Sequence, residues 1–426
     1  MKIISERISK ADESRGAVTY KKEYLYPVGY ECKETRTTQH ESDYVNKTEC
    51  RISADNGKSY TEWIPLEQRE YSQIFGENEL ISLETPRIWN PIHCHYVSTW
   101  WTRYFVGGHK RAYAQYWKEG KLAFFDHQYL AISNSGTGET ISKKLVMYEN
   151  GVDFDPKNPS NPEFLQRNRG YLNPPIVLKN GDIAVPVGLP IPVACKMSGV
   201  DVNQVFPSCP TLHRAVIVAR GKYNKNSKEY DFTFSNPIIL DDLRSSRGID
   251  EPILAELESG RILLVMRGSN VRKEEWNTRI KDGTPSYKWY AYSDDGAKNF
   301  TRPAPWHFDT GEPIYSAATC SNFIRSTKTG GLYWIGNISD EKAYGNFPRF
   351  PLYICRIDEK SGLLDKSSLT LIDNRRDGES EQLQLSNFSV FEDRESGNFE
   401  ISLAKVGQFD ENRRFFCESW KYTVVL

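Results

Sequence analysis

The sequence predicts an all-β protein, a six-bladed β-propeller with four-stranded antiparallel blades; a repeated pattern and its spacing lead to this prediction. A strand-turn-strand pattern with a glycine at the turn recurs along the 426 residues. The turn glycines at positions 120, 181, 260, 330 and 397 are separated by 61, 79, 70 and 67 residues. With one further unit before residue 100, six units of about 70 residues account for the chain. Such units suit propeller blades, whose radial arrangement leaves no long sheet edge bare.

The clearest copy of the pattern is residues 251–267, which read EPILAELESGRILLVMR and predict a β-hairpin. Gly260 supplies the turn, the aliphatic residues on both sides favour paired strands, and Pro252 is tolerated at the first position of its strand. Because a hairpin returns to the edge from which it started, Glu251 and Arg267 are expected to lie near each other. We place the active site at this edge.

The remaining copies extend the pattern over most of the chain, as a single domain of residues 1–426. They lie around Gly120 (115–125), Gly181 (175–185), Gly330 (321–335) and Gly397 (386–401). Residues 1–20 are expected to supply an outer strand, and the alternating run 414–426 is strongly strand-like. Pairing of these two ends would close the ring, since an open propeller leaves a bare edge.

Composition fits a soluble globular protein rich in aromatic residues. Hydrophobic residues make up 38%, charged residues 26%, and the net charge is −1, so neither nucleic acid nor a membrane is expected as partner. Aromatic residues reach 13%, with 10 Trp and 24 Tyr; exposed rings stack on sugar faces, although sheet proteins also use them structurally. Composition therefore leaves an oligosaccharide or polysaccharide partner open beside a purely structural use of these rings.

Compartment and cofactor leave few signals in the sequence. No run approaches the roughly 20 apolar residues of a membrane helix, and the N-terminus lacks a signal-peptide apolar region. The protein is expected inside the cell or, if a leader has been removed, in the periplasm or outside the cell. The eight cysteines contain no CxxC pair, so neither zinc nor another cofactor is expected.

Histidines between residues 87 and 129 suggest a metal site only weakly. His93 and His95 point to the same side of a strand, and His127 or Asp126 is a conceivable third ligand. No spacing signature supports this set, and packing inside the first blades is the simpler interpretation. We therefore predict no metal.

Superposing the units on their glycines gathers polar residues at one end of the strands, around the central channel. Counting seven residues forward or eight to ten back from the glycines gives His127, Arg267, Asn337, Asn173, Glu251, Asn322 and Asn387. Small or apolar residues would be at least as common in a purely structural ring. This set therefore favours a site.

The expected chemistry is that of an acidic sugar bound by arginine. Arginine's planar fork binds a carboxylate in bidentate fashion, and a ring of Arg267, Arg349 and either Arg87 or Arg247 would suit such a ligand. Neighbouring arginines hold a carboxylate ionised, so Glu251 is the expected general base. Either Asp126 or His127 is the expected proton donor. The alternative is that Glu251 and Arg267 form a purely structural ion pair.

Two octets, 53–60 (SADNGKSY) and 293–300 (SDDGAKNF), share a Ser, an Asp two residues later and a closing aromatic residue. The Asp carboxylate can accept N–H bonds across the loop, which makes a self-contained turn. These octets resemble the Asp-box turns of the sialidase (neuraminidase) superfamily, with Ala297 in place of a usual glycine. In that superfamily such turns mark the fold and lie opposite the catalytic face, so no catalytic role follows for Asp55 or Asp295.

Residues 251–267 are also similar to a sialidase segment in which a catalytic glutamate precedes an arginine. The resemblance implies that Glu251 takes the place of the glutamate that activates the nucleophile. Arg267 would be the second and Arg349 the third arginine of the carboxylate-binding triad, and Arg87 is similar to the first. The family's nucleophile is a tyrosine near the end of the chain, where this sequence has Phe388.

The resulting functional prediction is a sialidase-like exo-glycoside hydrolase, a glycosidase acting on a glycan with an acidic sugar as the expected class. One alternative is a polysaccharide lyase on the same scaffold, in which His127 with Tyr171 or Tyr129 moves protons while arginine neutralises a uronate. Another is a propeller that binds glycans without catalysis, which the missing hydroxyl of Phe388 favours.

Overall fold

The computed structural model describes residues 1–42, 45–66, 79–105, 124–134, 138–171, 173–207, 213–271 and 278–426. Strands up to residue 224 are β1 (Lys2–Ser9), β2 (Ala17–Tyr24), β3 (Cys32–Gln39), β4 (Lys47–Ser53), β5 (Ile64–Pro65), β6 (Glu79–Glu84), β7 (Ile88–Asn90), β8 (His95–Phe105), β9 (Phe124–Ser133), β10 (Thr140–Leu145), β11 (Ile176–Val177), β12 (Ile183–Pro190) and β13 (Arg214–Asn224). Later strands are β14 (Glu229–Phe234), β15 (Ile249–Glu256), β16 (Ile262–Gly268), β17 (Lys288–Ser293), β18 (Ala304–Pro305), β19 (Asn322–Arg325), β20 (Leu332–Asn337), β21 (Leu352–Asp358), β22 (Leu363–Leu364), β23 (Thr370–Asp373), β24 (Ser389–Glu392), β25 (Phe399–Ala404) and β26 (Ser419–Val425).

These strands form six antiparallel sheets, which confirms the predicted six-bladed propeller. In chain order the blades are β2 to β5, β6 to β10, β11 to β14, β15 to β18, β19 to β23, and β24 to β26 with β1. The second blade carries the short β7 beside β8, and the fifth carries β23 beside β21. Each of the six has a path of four hydrogen-bonded strands.

The two ends of the chain meet in the sixth blade. β1 pairs with β26 in antiparallel register, with Lys2 opposite Val425 and Arg7 opposite Trp420. The strand from the N-terminus thus covers the edge that β26 would otherwise expose, which is the usual way in which a sheet ring avoids a bare edge.

Short helices occur only in loops of the described part of the chain. They are α1 (Pro162–Leu165), α2 (Ile191–Ser198), α3 (Val202–Val205) and a 3₁₀ turn (Lys366–Ser368). Among the described residues, no helix has both the length and the apolar character needed to cross a membrane.

The hairpin predicted at residues 251–267 is present as β15 and β16. Leu254 lies opposite Leu264, and Gly260 turns the chain at φ +84°. Gly181, Gly330 and Gly397 likewise have positive φ and join the first two strands of their blades. The repeat inferred from the sequence is therefore the inner hairpin of a blade.

Gly120 lies outside the described residues, and it falls between a different pair of strands from the other turn glycines. The strands on either side of it, β8 and β9, are neighbours within the order β6, β8, β9, so they are the second and third strands of the second blade. His127, seven residues after Gly120, therefore lies on a third strand, whereas Arg267 and Asn337 end second strands. The superposition that grouped these three residues does not hold for His127.

Replacing Gly260 with alanine is expected to lower the free energy of unfolding by about 1 kcal/mol, because an L-residue is strained at positive φ. An added Cβ would meet nothing within 4 Å, so the backbone conformation alone sets the cost. Urea unfolding would measure it, with Ser259→Ala in the same turn as control, expected within about 0.5 kcal/mol of wild type. Equal stability of Gly260→Ala and wild type would contradict the argument.

Apolar side chains fill the spaces between neighbouring blades. Alternate residues of β16 face opposite sides, as in any strand: Leu264 and Met266 pack towards the third blade, and Leu263 and Val265 towards the fifth, near Trp334. Because both sides are packed, the end of β16 is held firmly. The backbone of Arg267, which follows Met266, is therefore held in place, and its side chain extends from a rigid position.

The first strand of each blade lines the centre of the ring; β15, for example, contacts β12 and β19 of the two neighbouring blades. We call the side on which these first strands begin the upper face and the side on which they end the lower face. Glu251, Asn322 and Asn387 lie on the upper face, and the glycine turns lie on the lower face. Long segments such as residues 146–171 and 191–207 also belong to the upper face.

Both Asp-containing octets form turns on the lower face that their own side chains close. Asp55 accepts bonds from Ser59 N and from Ser53 Oγ, both at 2.8 Å. Asp295 accepts the corresponding bonds from Asn299 N at 2.9 Å and from Ser293 Oγ at 2.8 Å. Ala297 adopts φ +66° at the position where a glycine was expected. These turns are self-contained and remote from the upper face.

Candidate active site

Glu251 owes its position to an irregularity in β15. The pairing of β15 with β16 shifts between Asp250 and Ile253, which is a β-bulge, and Glu251 has φ +46°. A bulge re-aims a side chain, and a strained backbone conformation such as positive φ at a non-glycine residue is enriched at functional sites. The local backbone therefore marks Glu251 as a functional candidate.

Two carboxylates share the guanidinium of Arg267. Its Nη1 bonds to Glu251 Oε1, and its Nη2 lies 3.5 Å from Asp250 Oδ2. Asp250 lies opposite Arg267 in the β15/β16 register, so the ladder itself brings them together. The expected proximity of Glu251 and Arg267 is thus present. The second oxygen, Glu251 Oε2, is buried and has no hydrogen-bond partner among the described residues.

The charged network continues into the third and second blades. Arg214 Nε lies 3.6 Å from Asp250 Oδ2, and its Nη2 lies 3.0 Å from Asp126 Oδ2. Asp126 also accepts from Arg103, with Nε to Oδ1 at 2.7 Å and Nη2 to Oδ2 at 3.0 Å. Positive and negative groups therefore alternate from the second blade to the fourth along the upper face.

Arg349 approaches the same centre from the fifth blade. Its Nη1 donates to Gln384 Oε1 at 2.7 Å and its Nε to Asn346 O at 2.9 Å. Asn337 Nδ2 donates to the carbonyl oxygens of Arg349 at 3.0 Å and Pro351 at 3.1 Å, which holds the loop in place. Among the described side chains, Gln384 Nε2 is buried without a partner.

Cys320 and Lys288 complete the surroundings of Glu251. The Cys320 thiol donates to Asn387 Oδ1 at 3.3 Å, and Lys288 Nζ donates to the carbonyl oxygen of Thr319. Lys288 lies opposite Arg267 in the β16/β17 register and is 1% exposed. The fourth, fifth and sixth blades thus all contribute groups to this centre.

Three cations keep Glu251 ionised. Burial alone would raise the pKa of Glu251, but Arg267, Lys288 and Arg349 more than offset burial, so the pKa lies below its ordinary value. Burial, with a further contribution from Glu251, raises the pKa of the Cys320 thiol, so this thiol stays protonated at neutral pH. Burial lowers the pKa of Lys288 to about 8. The centre therefore combines a carboxylate base with an excess of positive charge.

Asp126 and His127, expected as proton donors, lie in settings that do not favour that role. Asp126 is 2% exposed and is held between Arg103 and Arg214. The His127 ring stacks on Phe164 with centroids 4.3 Å apart, and burial lowers the pKa of His127 to about 3. Its place on the third strand of a blade explains why the glycine register misplaced it.

Tyr129 and Tyr171, which the lyase alternative pairs with His127, have different surroundings. The Tyr129 hydroxyl is buried 3.1 Å from that of Tyr104. Tyr171 has the Arg214 guanidinium 5.3 Å from its ring centroid and packs against Trp101. Tyr171 alone of these three is placed beside the charged network.

Arg87 lies at the other end of the ring. It follows the end of β6, on the lower face, where its Nη1 donates to Gly138 O at 2.7 Å and its Nε to Glu84 at 3.2 Å. It therefore does not join Arg267. Arg214, which the sequence reasoning did not single out, is the third arginine at the centre beside Arg267 and Arg349.

Arg247 stands at the rim of the upper face. Its Nη1 donates to Asn346 Oδ1 at 2.9 Å and approaches Ser269 Oγ at 3.3 Å. Asn346 also accepts from Arg349, so Arg247 and Arg349 share one loop. This position suits contact with an outer part of a ligand.

The four predicted asparagines all lie on the upper face but differ in exposure. Asn173 is buried and donates to Tyr171 O at 2.7 Å, and Asn337 is buried under the Arg349 loop. Asn322 is half-buried, and Asn387 is exposed with φ +57°. Of the four, Asn387 is therefore the best placed to contact a ligand, and it lies beside Cys320, whose thiol it binds.

Phe388 faces the core between the fifth and sixth blades, among residues that include Leu385 and Tyr422. Its side chain supplies no hydroxyl group and does not point to the charged centre. Histidines 93 and 95 lie near the lower face, where His95 Nε2 bonds to Tyr230 Oη at 2.8 Å. No cluster of three metal-ligating side chains occurs in the part of the chain that the structure describes.

Sequence reasoning missed Arg103, Arg214, Asp250, Lys288 and Gln384. Asp250 was readable as a neighbour of Glu251, and Arg214 begins a strand on the upper face as Asn322 does. Arg103 and Lys288 sit within alternating strands and carry no signal in one sequence. Only the packing of the blades brings them to the centre.

Comparison with solved structures agrees on the fold, a six-bladed propeller like that of sialidases. No family model matches the chain, and no curated protein matches it. A protein of unknown function from Dyadobacter fermentans has a TM-score of 0.58 at 13% identity, with 99% of each chain covered.

Two enzymes share the same architecture. The intramolecular trans-sialidase of Ruminococcus gnavus, in complex with oseltamivir carboxylate, has a TM-score of 0.56 at 9% identity, with 99% of this chain and 97% of that one covered. Trypanosoma rangeli sialidase, in complex with sialic acid, has a TM-score of 0.51 at 10% identity, covering 99% and 59%. At such identities the likeness shows the fold alone.

Proposed function

We propose that this protein binds a carboxylate-bearing sugar at the centre of its upper face and hydrolyses the glycosidic bond beside it. The observation that carries the proposal is the convergence of Arg267, Arg349 and Lys288 on the carboxylate of Glu251, with Arg214 beside the neighbouring Asp250. Arginine forks bind carboxylates in bidentate fashion, and this centre holds more cations than carboxylates. The sugar carboxylate would lie against Arg267 and Arg349.

Glu251 is the proposed base of the reaction. Its Oε2 is buried without a donor, and nearby cations keep the carboxylate ionised, so it can accept a proton from a water molecule that attacks the anomeric carbon. The bond from that carbon to the leaving oxygen breaks, and solvent water supplies a proton to the departing alcohol. This route needs no tyrosine nucleophile, which fits Phe388 in the core.

Incubation with a panel of glycans ending in sialic acid, uronic acids or neutral sugars, read by mass, tests this function. Release of a free acidic sugar with the mass of one added water is the expected result. An unsaturated product absorbing in the near ultraviolet would instead identify a lyase, for which Tyr171 is the remaining candidate residue. Release of neutral sugars only would contradict the proposed substrate class.

A binding protein without catalysis is the second candidate, because the position expected for a nucleophile is Phe388, a buried core residue. Saturable binding of an acidic glycan, with no change in its mass after long incubation, would establish this candidate in place of the hydrolase.

Replacing Arg349 with methionine is expected to weaken binding of free sialic acid roughly 10- to 100-fold, because a charge-assisted bond to a carboxylate is lost. Titration calorimetry would measure the change. Arg356→Met is the matched control, since its side chain is 58% exposed on the fifth blade and its nearest carboxylate oxygen, on Asp365, is 3.8 Å away. Equal affinity of wild type and Arg349→Met would remove Arg349 from the proposed site.

A further inference from the structure

Lys288 is a fully buried ammonium that helps to keep Glu251 ionised but has no direct part in the proposed reaction. It is 1% exposed at the start of β17, directly opposite Arg267 across the ladder. Its Nζ donates to a backbone carbonyl oxygen, that of Thr319, the residue before Cys320. Burying a lysine charge lowers the stability of the fold unless the charge is compensated, so its presence at this position calls for a specific reason.

Four ionisable groups face Lys288 from the elements packed around it. Glu251 on β15 favours the ammonium, whereas the Cys320 thiol in the loop before β19 is uncharged at neutral pH. Arg267 on β16 and Arg349 in the loop before β21 disfavour it, as burial does. Glu251 is already bonded to Arg267, so its negative charge is shared between cations.

An anion at the centre would change this balance. A carboxylate lying against Arg267 and Arg349 adds negative charge next to the two cations that disfavour the ammonium. It also offsets the excess of positive charge around Lys288. Ligand binding and protonation of Lys288 must therefore strengthen each other, since linkage acts equally in both directions.

We propose that Lys288 is a positioning residue that takes up a proton together with the anionic ligand of this centre, thereby fixing the Thr319 carbonyl and the adjacent Cys320 beneath Glu251. The inference rests on the proposed acidic-sugar site. Protonated Lys288 holds this segment through its bond to Thr319 O; neutral Lys288 still holds it, but with a weaker donor.

The pH range follows from the state of the lysine in the ligand-free protein. Burial lowers the pKa of Lys288 to about 8, so the group is protonated at pH 6 whether or not ligand is present. Near pH 8 only part of the population is protonated, and bound anion would shift the remainder. Uptake of up to about 0.5 proton per ligand is then expected at pH 8, and close to none at pH 6.

Calorimetric titration with sialic acid, glucuronate or sulfate, in buffers of different ionisation enthalpy, measures this proton uptake directly. None of these anions titrates between pH 6 and 9. Wild type is expected to take up protons at pH 8, and its affinity should fall by up to about tenfold per pH unit above pH 8. The Lys288→Arg variant, charged throughout, should show neither uptake nor this fall in affinity.

A second variant keeps the test informative if Lys288→Arg does not fold. Methionine approximates the length of lysine in a buried site, so Lys288→Met is expected to unfold cooperatively and to bind with a low affinity that does not change between pH 6 and 9. Thermal unfolding of both variants checks the fold. Proton uptake that persists in either folded variant would overturn the role of Lys288.

The outcomes separate this inference from the proposed function. Binding of an acidic sugar without proton uptake by wild type at pH 8 would refute the inference and leave the proposed site standing. Absence of binding by all three anions would refute the site and, with it, the inference. Uptake in wild type that disappears in Lys288→Arg supports both.

Discussion

Replacing Glu251 with glutamine is expected to abolish turnover and to leave the fold intact. Glutamine keeps the size of the side chain and can accept the bond from Arg267, and Asp250 still faces Arg267 at 3.5 Å. An amide cannot take a proton from water, so kcat should fall by at least about 100-fold, the usual contribution of a general base. Product release followed by mass would measure kcat, and thermal unfolding would check the fold.

Glu258→Gln provides the matched control for this substitution. Glu258 is exposed in the turn of the same hairpin, on the lower face, so the same chemical change occurs far from the centre. Wild-type turnover is expected for Glu258→Gln. Turnover of Glu251→Gln at the wild-type rate would remove the base from the proposed mechanism and leave the Glu251–Arg267 pair as a structural bridge.

Replacing Asp126 with asparagine is expected to lower the free energy of unfolding by about 3–5 kcal/mol. Asp126 compensates Arg103 and Arg214 in a site that excludes water, and Arg103 is itself 3% exposed. An amide removes the negative charge and leaves two buried guanidinium groups without it. Urea unfolding followed by circular dichroism would measure the loss.

Asp294→Asn is a close control because the Arg261–Asp294 ion pair has the same distances as the Arg103–Asp126 pair but is exposed to solvent. Asp294 binds Arg261 through Nε at 2.7 Å and Nη2 at 3.0 Å, the distances found between Arg103 and Asp126. Asp294 is 65% exposed in its side chain, so the pair is screened by solvent and its loss should destabilise the protein far less than the loss of the Asp126 charge. Comparable costs for the two variants would show that burial does not govern the Asp126 pair.

The stability of Asp126→Asn also bears on the role expected for this residue from sequence. A proton donor that contacts ligand would lose activity without losing stability. A carboxylate that positions Arg214 would lose both, because Arg214 also faces Asp250. Measuring activity and unfolding on the same preparation therefore separates the two roles.

Local pattern made the inner hairpins predictable. In residues 251–267 the turn glycine, the apolar runs on both sides of it and the proline at the strand start all favour one structure, and β15 and β16 follow it. Because a hairpin brings its own ends together, the proximity of Glu251 and Arg267 also followed from sequence. The same reasoning failed for His127, since one glycine pattern occurs between different strand pairs of a blade.

The sequence by itself determined the class of fold, the repeat and the central ion pair, because each depends on residues close together in the chain. Tertiary structure alone decided which distant charges meet. Arg103, Arg214 and Lys288, which the sequence did not single out, come from three blades, and Arg87 lies on the opposite face. The physical reason is that blade packing and strand direction, which no single repeat encodes, set where each side chain lies relative to the axis.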